Sequence, residues 1–86
     1  MSIGLVYISS GSSYTVRGRN LFLFCAPSGV SFKSGIYVCD NGEITTIKAI
    51  ESNIGVSYDA TERGIKLTNN SASSCDMRLF AVNLKN

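Results

Sequence analysis

Histidine and tryptophan are absent from this 86-residue chain, proline occurs once, and charged residues make up only 16% of it. Each shortage excludes something. Without histidine, the common Ser–His and Cys–His nucleophile–base pairs cannot form. A tetrahedral zinc site needs Cys and His at close spacing, whereas this chain offers only the widely separated Cys25, Cys39 and Cys75. The missing tryptophan removes the strongest aromatic platform for a ligand. Charge is scarce against the roughly 25% of an ordinary soluble domain. The net charge is only +2, and no stretch clusters Lys or Arg more densely than Arg17-Gly18-Arg19. That argues against nucleic acid, whose binders carry a dense basic stripe.

Long apolar runs are missing as well, so no segment reaches the roughly 18 residues that would span a membrane. The opening Met1-Ser2-Ile3-Gly4-Leu5-Val6-Tyr7-Ile8 has no positive leader and no small-residue cleavage site, and is expected not to be a signal peptide. The three cysteines then read as reduced, small apolar residues of a protein made in a reducing cytoplasm. One disulfide among them stays open, with no pairing fixed by the sequence.

The carboxylates Asp40, Glu43, Glu51, Asp59, Glu62 and Asp76 fall in or beside polar turns and make no acid–base pair. Asp40-Asn41-Gly42-Glu43 is the one local oxygen cluster, and it lacks the twelve-residue ligand pattern of an EF-hand. The glycines are scattered singly, so no phosphate-cradling loop is present. Asn69-Asn70-Ser71 reads as loop polarity. The expectation is a non-enzyme without metal or cofactor.

What the chain does have is a succession of short β-branched and aromatic runs punctuated by Gly, Asn, Ser and Pro. Turn signals at 8–12-residue intervals predict an all-β fold: one domain over residues 1–86, a small antiparallel sandwich, jelly-roll-like, of about eight short strands. Strands are expected at Leu5–Ser9, Tyr14–Arg17, Asn20–Ala26, Gly35–Cys39, Asn53–Asp59, Gly64–Asn69 and Cys75–Leu84, with a further short one at Val30–Lys33 that turns Phe32 inward. Asn41-Gly42 is the strongest hairpin signal. It favours a returning strand over Glu43–Ile50. The spacing of Ile44, Ile47, Ile50 and Ile54 also suits a helix face across 44–54, although Ile44-Thr45-Thr46-Ile47 is a poor helix former.

A polar surface built from Ser, Thr, Asn and Gly suits a domain that packs against copies of itself. Leu21–Cys25 and Met77–Leu84 are apolar on both faces, which marks Phe22, Phe24, Phe80 and Val82 as a candidate interface. Tyr14 and Tyr58 lie nearest to turns and form a candidate ligand surface.

From Gly35 to Val82 the chain also has a recurring cadence: Gly35-Ile36-Tyr37-Val38, Ile44-Thr45-Thr46-Ile47, Gly55-Val56-Ser57-Tyr58, Gly64-Ile65-Lys66-Leu67-Thr68-Asn69-Asn70-Ser71 and Met77-Arg78-Leu79-Phe80-Ala81-Val82. It resembles the terminal β-sandwich domains of bacteriophage tail fibres, head fibres and related virion appendages. The resemblance implies a structural module of a virion, made in the bacterial host cytoplasm. It further implies a homo-oligomer with a trimer favoured, and other virion proteins or a host-surface glycan receptor as partners. The chain departs from a typical fibre protein in its shortness and in lacking a shaft repeat or coiled-coil heptads. The competing expectation is a small bacterial carbohydrate- or protein-binding β-domain.

Overall fold

Short strands with one or both faces apolar cannot bury those faces alone and must layer. In the computed structural model, which describes residues 2–29 and 31–85, they do so as an all-β sandwich. The strands are β1 (Ser2–Ile8), β2 (Ser13–Arg17), β3 (Leu21–Pro27), β4 (Gly35–Asp40), β5 (Glu43–Lys48), β6 (Ile54–Asp59), β7 (Gly64–Asn69) and β8 (Cys75–Asn83). One sheet runs β1-β8-β3-β4-β5 and the other β2-β7-β6, and every pairing is antiparallel. First strand pairs with last and second with second-last, but the nesting stops there, because β3 pairs with β8 and β4 rather than lying beside β6.

Strict alternation builds the core. Along β3, Leu21, Leu23 and Cys25 are fully buried while Phe22 and Phe24 point the other way and are half-buried. Along β8, Met77, Leu79 and Ala81 are buried while Asp76, Arg78 and Phe80 are exposed. These side chains, with Tyr37 and Cys39 of β4, pack with Val16 of β2 and Ile65 and Leu67 of β7.

The segment after Asn41-Gly42 is a strand. Asn41 and Gly42 have φ of 50° and 83°, and Asp40 pairs with Glu43 across them. Two successive left-handed residues make the hairpin turn whose twist matches the strands. The return to β4 therefore prevails over the helical spacing of the four isoleucines. Ile50 and Ile54 still reach the core, but from the connection after β5 and the first residue of β6.

The expected strand at Val30–Lys33 does not form. Val30 lies outside the described residues. Phe32 donates its N–H to the Gly29 carbonyl at 3.1 Å, closing a turn, and its side chain is 44% exposed rather than inward. Gly29 at φ 123° redirects the chain there, and a Cβ on it would sit 2.9 Å from the Phe32 ring. Pro27, expected to break the strand before it, instead closes β3 opposite Met77.

Asn69 is the one buried polar side chain among the described residues, and it clasps the two sheets. Its amide nitrogen donates to Ile8 O at 3.0 Å and Ser73 O at 2.8 Å. Its oxygen accepts from Ser71 N at 3.0 Å and Ser71 Oγ at 2.6 Å. All of the amide's hydrogen-bonding capacity is used. Gly64 is fixed for a different reason: a Cβ would lie 2.1 Å from the Val16 carbonyl oxygen, so β2 and β7 meet only if this residue is glycine.

Two outcomes follow for stability. Asn69→Ala leaves the Ile8 carbonyl without its donor and is expected to cost at least roughly 1–3 kcal/mol, as one orphaned buried acceptor does. An unchanged urea midpoint would contradict the clasp. Gly64→Ala must push backbone from backbone and is expected to exceed the roughly 1–3 kcal/mol typical of overpacking. Thermal unfolding followed by circular dichroism measures it.

Candidate interaction face

The two outer faces of the sandwich differ in kind. On the three-stranded sheet, register sets Ser13 beside Thr68 and Gly55, Thr15 beside Lys66 and Ser57, and Arg17 beside Gly64 and Asp59. That face is polar throughout, as the solvent side of an antiparallel sheet should be. It is also tied down locally. Asp59 accepts from the backbone N–H groups of Thr61 and Glu62 and from the Thr15 hydroxyl, and these bonds hold its carboxyl below the usual range. Arg17 pairs with Glu62 in solvent, a contact of small energetic worth.

The five-stranded sheet presents the opposite. Phe24 lies between Phe80 of β8 and Ile36 of β4, and Phe22 lies between Val82 and Val38. Thr45 continues the Val38 row on β5, and across the bulge Ile36 pairs with Lys48, the residue after Ile47. Leu5 and Tyr7 extend the face along β1, opposite Arg78 and Asp76. Leu5 is 60% exposed, Tyr7 66%, Ile47 60% and Phe80 44%, so four of the six large exposed hydrophobic residues among the described residues fall on this sheet. Arg78 and Asp76 thus stand between Leu5 and Tyr7 and the apolar cluster of β3, β4 and the second half of β8, and that cluster is the candidate interaction surface.

All four candidate interface residues, Phe22, Phe24, Phe80 and Val82, are brought together at the middle of this face. Ile36 and Val38 join them, with Leu5, Tyr7 and Ile47 on the edge strands of the same sheet, although sequence reasoning did not single them out. Alternation separated Ile36 and Val38 from Tyr37 and Cys39, but not which pair faced inward. The signal that could have found them is the absence of charge at every alternate position from Phe22 to Val38.

Tyr14 and Tyr58 sit elsewhere. They pair with Leu67 and Ile65, share the inner side of the three-stranded sheet, and pack half-buried against the core. Tyr37 is buried and its hydroxyl accepts from Ile50 N–H at 2.9 Å, pinning the chain after β5.

Among the described residues, no three of His, Cys, Asp and Glu gather as a metal site, and no helix is long and apolar enough to cross a membrane. The three cysteines are free thiols. Burial pushes Cys25 up to about 12 and also raises Cys39 and Cys75, the last with added repulsion from Asp76. No family model, curated protein or solved structure matches the chain.

The thiols give a pH signature with a definite sign. A thiol whose folded pKa is raised holds its proton in the fold after the unfolded chain has lost its own. The stabilisation is therefore complete below the unfolded value of 9.0 and lost as pH rises from there toward about 12. Urea midpoints should fall above pH 9 in the wild type and fall less in Cys25→Ala. Equal alkaline slopes in the two proteins would refute this origin.

Proposed function

We propose that this domain is a non-enzymatic structural module that assembles through the outer face of its five-stranded sheet. The observation that carries the reading is the contrast between the two outer faces. One is polar and self-contained, whereas the other sets Phe22, Phe24, Phe80, Val82, Ile36 and Val38 side by side with no charge among them. Exposing such a surface opposes solubility, and covering it supplies the main driving force for association.

The resemblance to phage fibre and head-fibre terminal domains points this module to a virion appendage, either as part of a fibre or as a decoration on a larger particle. In that role other virion proteins are its neighbours and a host-surface glycan its prospective receptor. The alternative, a small glycan-binding domain working through Tyr14 and Tyr58, gains less support, because both rings are engaged in packing against the core.

Sedimentation velocity of the whole chain over a range of micromolar concentrations tests the proposal. Species heavier than the 9.2 kDa chain are expected, with their proportion growing with concentration. A persistent monomer that binds glycans, and loses that binding on Tyr14→Ala or Tyr58→Ala, would replace assembly with the alternative.

A further inference from the structure

We propose that the apolar outer face is closed by a second copy of this chain, packed face to face about a two-fold axis. The inference rests on the assembly reading above and names its partner.

The edges of the five-stranded sheet bear on this first. Pairing of β1 with β8 slips between Ser2 and Gly4, where Gly4 has φ 92°. Pairing of β5 with β4 slips between Ile36 and Tyr37, and Lys48 stands at that irregularity. Bulges and an edge lysine obstruct the addition of another strand. Both ends of the sheet are therefore blunted, and copies joined edge to edge in a ring or filament are disfavoured. The face is what remains.

Its size suffices. Five strands about 4.8 Å apart, each contributing about six residues at about 3.3 Å, give a patch of roughly 24 by 20 Å. Two such patches, with side-chain relief, remove on the order of 1,000–1,400 Å² from water, the lower end of specific interfaces. Stacked sheets interdigitate their side chains at about 10 Å, and rows of phenyl and isopropyl groups can do so here.

Charge is arranged at the rims. Asp76 and Arg78 occupy the outer side of the first half of β8, opposite Tyr7 and Leu5 and before Phe80 and Val82. At the other end of the sheet, Asp40 stands opposite Glu43, and Lys85 binds Asp40 at 2.7 Å. Each end thus holds both signs, so a second copy can answer each rim charge with its opposite and leave none buried alone. A patch that is apolar at its centre and mixed in sign at its ends is complementary to itself, and a single self-complementary patch closes as a two-fold dimer.

Light scattering after size exclusion measures the stoichiometry. The expected mass is twice 9.2 kDa. Phe80→Lys and Leu5→Lys change side chains that are exposed in the single chain, so both variants are expected to fold with unaltered circular dichroism. Each should raise the dimer dissociation constant at least about 100-fold, as loss of an interface anchor does. Ser57→Lys, on the polar sheet, should leave it unchanged. A trimer dissolved by Phe80→Lys would overturn the two-fold arrangement and keep the assembly reading. A dimer indifferent to both face variants would overturn this face as the contact. A monomer at every concentration would overturn both.

Discussion

Leu21, Leu23, Ile65, Leu67, Met77 and Leu79 are removed from water by the contact of two sheets of unequal width, and a chain of 86 residues has little else to hold it together. Three strands cannot cover five. The remainder is closed by connections rather than strands: Ile50 is drawn inward by the bond of its N–H to the Tyr37 hydroxyl, and Ile54 enters at the first residue of β6. Asn69 secures the opposite side by bonding the last carbonyl of β1 from the last residue of β7. The short polar network there is fully satisfied, which lets an amide occupy the interior without penalty.

The same inequality explains why the outer faces diverge. A three-stranded sheet with Ser, Thr, Arg, Lys and Asp on its back needs nothing further. A five-stranded sheet with phenylalanine, valine and isoleucine on its back leaves those side chains only half-buried or exposed. The charges are unevenly shared: Arg17, Asp59 and Lys66 lie on the polar sheet, and on the larger face Asp76, Arg78 and Lys48 flank a cluster of Phe22, Phe24, Phe80, Val82, Ile36 and Val38 that carries none.

Much of this was legible in the sequence. Gly64–Asn69 and Asn41-Gly42 are bounded by residues whose backbone preferences admit few alternatives, and the structure follows them. Phe22, Phe24, Phe80 and Val82 were marked because an uninterrupted apolar strand must have two covered faces, and the register then set them side by side. Other features depend on partners distant in the chain. Leu5 and Tyr7 gain their meaning only beside β8, and nothing within Ile36-Tyr37-Val38-Cys39 says which pair faces inward. The strand expected at Val30–Lys33 failed because Gly29 closes a turn with Phe32, a local bond that outweighs the propensity of one aromatic residue.

β8 lies between β1 and β3, so the last strand to be made sits inside the larger sheet rather than at its edge. Until it emerges from the ribosome, β1 has no neighbour, and β3 has only β4. The larger sheet therefore cannot be completed progressively during synthesis. It must wait for a pairing that joins Ser2 to Phe80, nearly the whole length of the chain, and such non-local closure is slow. During that interval β3 exposes its phenylalanines on one side and Leu21 and Leu23 on the other of an unfinished sheet, and the nascent chain is then at its most vulnerable to non-productive aggregation.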